Sequence, residues 1–130
     1  MNNKRIDQII REYAGELEEA ELGYWKFSYD GQYLLIVTDE NHNRMRVISP
    51  VVLIDEVSNE LLFKCMEANF DRALDARYAI SGEYLWSAFI HPLAELTDDQ
   101  LIDALNQVVT LAKNFGMTFT SSELRFGAGE

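Results

Sequence analysis

The feature that most constrains this chain is the dipeptide Asp30-Gly31, which separates two segments of strand-like character. Both residues tolerate the positive φ angles of a two-residue turn, and the twist of such a turn matches that of paired strands. Aromatic and polar residues alternate over 24–29, whereas 32–38 is apolar on both sides. The pattern predicts a β-hairpin whose second strand is central in a sheet, with both of its faces covered.

Apolar residues recur at helical spacing in three other segments, which predicts three helices. The first includes Ile6 and is expected to stop near Gly23. The second begins at the N-cap Ser58, with Asp55 as the competing cap, and the third follows a capping box that starts at Thr97. The buried stripe of the second helix is predicted to consist of Leu61, Leu62, Cys65, Met66 and Phe70.

Two more strand regions complete the order of elements. A third strand over 44–49 leads to Pro50, which either ends the pairing or marks a bulge because proline has no N–H for the ladder. A second hairpin is predicted over 77–90. The order αβββαββα implies an α+β domain with a largely antiparallel five-stranded sheet and helices mainly on one face. We expect a single domain over 1–120 and a flexible C-terminal tail over 121–130.

Charge and composition exclude several classes of function. The chain has 22 acidic and 11 basic residues and a net charge of -11, which repels phosphate backbones and argues against nucleic acid as a partner. No apolar run approaches the roughly 20 residues needed to cross a bilayer, so no membrane association is predicted. The charged amphipathic N-terminus does not resemble a secretory signal, and one cysteine cannot form an intrachain disulfide. We therefore expect a cytoplasmic protein.

No combination of residues indicates a catalytic, metal or cofactor site. His42 lies in an oxygen-rich loop that lacks EF-hand spacing, and His91 has no visible base or orienting partner. Asp98 and Asp99 suit the positive end of a helix dipole, and Cys65 shares an apolar stripe as a buried, unreactive thiol. There is no glycine-rich phosphate loop. The sequence predicts a protein that is not an enzyme and needs no cofactor.

Apolar residues on both faces of the inner strands point to a protein interface. Helices on one side would leave the other face in water, so we expect that face to dimerise or to receive a partner, unless the helices wrap both faces. Lys26, Arg44 and Arg46 could form a cationic patch for acidic helices of a second subunit or an acidic peptide; the alternative is three solvated charges. The candidate interface residues are Trp25, Phe27, Leu34, Ile36, Arg44, Arg46 and Trp86.

Three segments carry a resemblance to a known family: Ile48 to Val52, Met66 to Asn69, and His91 to Thr97. With the order of elements, the small size and the acidic balance, they resemble the type III secretion chaperone-like fold and, within it, the YbjN-like family of bacterial sensory transduction regulators. The resemblance implies a bacterial cytosolic protein, often dimeric, that binds another polypeptide or acts as a regulator. It carries over no functional residue.

Three hypotheses of function follow from these observations. The leading one is a non-enzymatic, chaperone-like homodimer whose sheet face or second helix supplies the interface. Its remaining apolar surface captures an extended or helical segment of another polypeptide. The alternative is an adaptor or regulator in bacterial signalling or stress response that binds a folded partner. A third hypothesis, an enzyme with an unrecognised site, would require a concave pocket with perturbed titratable groups.

Overall fold

The computed structural model describes residues 1–121, which form a six-stranded antiparallel sheet and three α-helices. The strands lie in the order β1-β2-β3-β4-β6-β5. The elements are α1 (Asn3–Tyr13), β1 (Leu17–Glu21), β2 (Tyr24–Tyr29), β3 (Gln32–Asp39), β4 (Arg44–Leu53), a 3-10 turn (Ile54–Glu56), α2 (Asn59–Asp71), β5 (Arg77–Ser81), β6 (Tyr84–His91) and α3 (Asp98–Lys113).

This architecture confirms the predicted α+β class and the antiparallel sheet, but the prediction of five strands was wrong.

Ser121, the first residue of the predicted tail, is buried and its hydroxyl accepts a hydrogen bond from the Leu74 N–H at 2.7 Å. The rest of the tail, 122–130, lies outside the described residues, and its flexibility stays a prediction. Within the described part of the chain, no helix is both long and apolar enough to span a bilayer.

The additional strand, β1, replaces the second half of the predicted first helix. The helix ends at Tyr13, and Ala14 already has an extended backbone. The Gly15 N–H donates to the Ser28 carbonyl at 2.8 Å, and the Ser28 N–H donates to the Glu16 carbonyl at 2.8 Å. A Cβ at Gly15 would lie 2.9 Å from Ser28 Oγ, so glycine permits this close approach. Pairing with a distant strand therefore overrides the helical pattern.

The predicted hairpin is confirmed. Asp30 and Gly31 have φ angles of 51° and 77°, and Tyr29 pairs directly with Gln32 across the turn. Pro50 marks a bulge rather than an end, because β4 continues to Leu53 with a register shift after Pro50.

The core lies between the helices and one face of the sheet only. Leu34 and Ile36 of β3 are fully buried there, whereas Tyr33 and Val37, which alternate with them, are 54% and 36% exposed. The prediction that both faces of this strand are covered was therefore wrong. The helices supply apolar side chains to the face that carries Leu34, and no helix of residues 1–121 covers the other face.

Local capping signals placed two helices correctly. Ser58 Oγ accepts from the Leu61 N–H at 3.1 Å, and Thr97 and Gln100 form the reciprocal capping box. The predicted buried stripe of α2 was partly wrong, because Met66 and Phe70 are 68% and 85% exposed. The residues of that stripe divide between two sides of the helix, and only the side with Cys65 packs on the core.

Candidate functional site

The sheet face turned away from the helices, here called the open face, is uncovered within residues 1–121 and carries a regular chemical pattern. Strand register aligns its side chains in rows across β2, β3, β4 and β6. Its main residues are Tyr24, Lys26, Tyr33, Leu35, Val37, Arg44, Arg46, Ile48, Pro50, Tyr84, Trp86, Ala88 and Ile90. Such a mixture of aliphatic, aromatic and basic groups is typical of a surface that binds protein.

Aromatic residues surround a groove of about 480 Å³ in one half of the open face. Trp86 is half-buried, and its indole N–H donates to the Ser81 carbonyl at 3.0 Å, which fixes the ring. The Trp86 ring meets Tyr84 edge to face, with centroids 5.8 Å apart. Across the groove, Lys26 Nζ lies 5.9 Å from the centre of the Tyr33 ring. The hydrogen bond and the contact with Tyr84 hold the Trp86 ring in place, so ordering this side chain would cost little entropy when a ligand binds.

Two arginines occupy the other half of the open face, beside a groove of about 420 Å³. Arg46 pairs in register with Val37 on one side and Ile90 on the other, so its exposed side chain stands in an apolar row. Arg44 lies two residues before it and faces Asp39. Among residues 1–121, neither guanidinium forms an ion pair with a carboxylate.

Asp39, the acidic residue that pairs in register with Arg44, already forms hydrogen bonds with His42. Asp39 Oδ2 lies 2.8 Å from His42 Nδ1, and Asp39 Oδ1 accepts from the His42 N–H at 3.1 Å. The hydrogen bonds from His42 lower the pKa of Asp39. The predicted loop histidine thus organises its own turn. Arg44 and Arg46 keep donors available for an external acceptor.

The sequence-predicted interface residues separate into two groups. Trp25, Phe27, Leu34 and Ile36 are fully buried beneath the helices, and Trp25 Nε1 donates to Asp7 Oδ1 at 3.0 Å. The other three candidates, Arg44, Arg46 and Trp86, lie on the open face. Alternation reveals which residues share a face, but it does not reveal which face the helices cover.

A second apolar surface lies on α2, the helix that the sequence analysis offered as a possible dimer interface, but its members Met66 and Phe70 were predicted to be buried. Phe63, Met66 and Phe70, here called the α2 stripe, recur at helical spacing and are all strongly exposed. Cys65 and Ala68 are buried on the opposite side of the same helix. The available signal was the number of apolar residues in this segment, which is more than one buried stripe requires.

The polar side chains that cluster within residues 1–121 form hydrogen bonds that stabilise the fold. Within 1–121, no group of three histidine, cysteine or acidic side chains is arranged to hold a metal ion. Burial raises the pKa of the Cys65 thiol to about 11, which disfavours the nucleophilic thiolate. A pocket of about 300 Å³ contains Asp75 and Asp103, but both carboxylates accept hydrogen bonds from the buried Gln107 amide at 3.0 and 2.8 Å. The His91 ring stacks on Phe89, with centroids 5.8 Å apart.

Comparison with known proteins gives one family and a set of similar structures. The model of the Tir chaperone protein (CesT) family matches residues 6–115. No curated protein sequence matches the chain.

Three solved complexes contain a chain of similar fold, each with a TM-score of 0.63. A chain of the HopA1-SchA chaperone-effector complex is 13% identical, with 84% of this chain and 88% of that chain covered. A chain of the complex between the Yersinia pestis type III secretion chaperone SycH and a stable fragment of YscM2 is 16% identical, with coverages of 87% and 98%. A chain of the ExsC-ExsE complex is 16% identical, with coverages of 87% and 92%. At these identities the likeness establishes the fold.

Proposed function

The chain belongs to the Tir chaperone protein (CesT) family, and we propose that it holds an extended segment of another polypeptide on its open face, without catalysing a reaction. Membership of a chaperone family defines the general class of function, which is binding to another polypeptide. A similar structure that contains a chaperone-effector complex supports another polypeptide as the ligand, and a similar structure of a chaperone with a stable fragment of YscM2 supports a segment.

The observation that carries this proposal is the uncovered apolar sheet. Tyr33, Val37 and Ile90 are exposed on strands whose alternate residues form the core. Burying a fully exposed apolar side chain contributes about 1.5–3 kcal/mol, and each of these partly exposed side chains would contribute roughly half of that, so several together can supply the affinity for a short segment. Within residues 1–121, the helices lie on the other side of the sheet and leave this surface free for a ligand.

We further propose that the protein is a homodimer that works in the bacterial cytosol. The α2 stripe supports a dimer, because a helix that packs with one side on its own core offers the other side to a second copy. The narrower likeness to the YbjN-like family is part of the same proposal. It would place the chaperone-type binding in a regulatory setting.

The proposed function can be tested with reduced, carboxymethylated α-lactalbumin, which cannot refold, and with native α-lactalbumin as the folded comparator. We expect the protein to bind the unfolded form, measured by fluorescence anisotropy of a label on α-lactalbumin. Replacing two exposed apolar groups of the open face, Tyr33→Ser with Ile90→Ser, should weaken binding by about tenfold or more.

The matched control is Leu22→Ser, which removes a 75% exposed leucine from the β1–β2 turn. It should leave the affinity unchanged. Equal weakening by the control and the double variant would contradict the assignment of the surface. Binding to the native form alone would favour an adaptor for folded partners.

A further inference from the structure

We propose that the open face selects an extended segment in which two carboxylates at alternate positions lie next to two apolar residues at alternate positions. This inference rests on the proposed function and specifies the chemistry of the bound segment. It is derived from the order of side chains along β4, where basic groups and apolar groups follow one another on one face.

The open-face side chains of β4 form a line of Arg44, Arg46, Ile48 and Pro50. Alternate residues of a strand are about 6.6 Å apart, and those of any extended chain lying along it have nearly the same spacing. A bound segment that lies on the open face, parallel to the axis of β4, can therefore place one side chain over each of the four residues in this line. Carboxylates complement its first half, and aliphatic or aromatic groups complement the second half together with Trp86, which pairs with Pro50.

Arg46 is the central element of this recognition. Its neighbours across the sheet are Val37 and Ile90, so a bound carboxylate would be partly withdrawn from water and its attraction to the guanidinium strengthened. Hydrogen bonds between guanidinium and carboxylate are charge-assisted and can be bidentate, which gives directional selection. Arg44 plays a secondary part, because its guanidinium already donates a hydrogen bond to the Asn43 carbonyl at 2.9 Å.

The distribution of charge favours this position for an acidic segment. The chain carries a net charge of -11, so most of its surface repels carboxylates. At the β1 edge of the sheet, Lys26 already pairs with Glu18 at 3.3 Å, and Glu19 lies opposite Lys26. An acidic segment is thereby directed away from β1 and towards the two arginines of β4. A basic segment would instead be attracted to the acidic edge and helices.

The test uses two fluorophore-labelled peptides with blocked ends, Glu-Ser-Glu-Ser-Leu-Ser-Phe and its counterpart with lysine in place of glutamate. By anisotropy, the protein should bind the glutamate peptide about tenfold more tightly than the lysine peptide. Arg46→Gln should abolish the preference, and Arg46→Glu should reverse it. Lys4→Glu, on the exposed surface of α1, changes the net charge by the same amount as Arg46→Glu does. This control variant should preserve the preference for the glutamate peptide.

Three outcomes would overturn the inference. The first is equal affinity for both peptides that Arg46→Glu does not alter, and the second is no binding of either peptide while carboxymethylated α-lactalbumin still binds. In both cases the proposed function stands. The third is that the glutamate peptide binds only when the protein dimer dissociates, as measured by light scattering. That result would assign the two arginines to the contact with a second copy of the chain. Failure of α-lactalbumin binding as well would remove the proposed function itself.

Discussion

At the scale of single residues, Cys65 shows how burial decides chemistry. The sequence indicated a buried thiol because the cysteine lies among apolar residues, and the structure confirms its burial. Desolvation raises its pKa from an ordinary 9.0 to about 11, so at neutral pH the thiolate is about a hundredfold less populated than in an exposed thiol.

We expect Cys65 to react with a disulfide reagent such as DTNB at least about a hundredfold more slowly in the native protein than in guanidinium chloride. Because the chain has a single cysteine, the absorbance change reports this site alone. The matched control moves the thiol to the next residue, Met66→Cys in a Cys65→Ala background, where it lies on the α2 stripe. Comparable native rates for the two proteins would contradict the assigned burial.

Among the helices and strands, features that depend on a few neighbouring residues were predicted correctly, whereas a feature that depends on residues distant in sequence was not. The hairpin at Asp30 and the start of α3 at Thr97 depend on turn and capping chemistry within a few residues, and both were predicted. The end of α1 depends on the hydrogen bonds of Gly15 and Glu16 with Ser28, which is distant from them in sequence. Leu17 fits a helical stripe as well as a strand that faces the core, so the local pattern did not distinguish them.

The capping box gives a prediction for α3. Thr97 Oγ1 accepts from the Gln100 N–H at 3.1 Å, and the Gln100 side chain accepts from the Thr97 N–H at 2.9 Å. Thr97→Ala should lower the free energy of unfolding by about 1 kcal/mol, measured by urea denaturation. Thr97→Ser keeps the oxygen and should retain most of the stability. Equal losses for serine and alanine would mean that the hydroxyl is not the stabilising group.

At the scale of the whole molecule, the position of the helices creates the two surfaces to which we assign function. Packing on one face of the sheet leaves the open face uncovered, and packing of α2 through Cys65 leaves the α2 stripe uncovered. The two surfaces lie on different elements. Self-association and ligand binding can therefore be separated by mutation.

We expect the protein in solution to have twice the monomer mass by light scattering on a sizing column. Placing charges on the α2 stripe with Met66→Glu and Phe70→Glu should give the monomer, because burying two unpaired carboxylates in an interface is unfavourable. Leu22→Glu is the control at an exposed leucine elsewhere and should stay dimeric. A wild-type protein that is monomeric at all concentrations would contradict the dimer.

The hairpin, the caps of α2 and α3, the acidic balance and the lack of a recognisable catalytic motif could all be predicted from the amino-acid sequence, because each depends on neighbouring residues or on composition. The sequence also identified which side chains share a strand face. Only the tertiary structure decided that Trp25 and Leu34 belong to the core and that Arg46 and Trp86 belong to the open face. The physical reason is that a strand has two equivalent sides until a helix packs on one of them, and that packing is a sum of contacts between residues far apart in the chain.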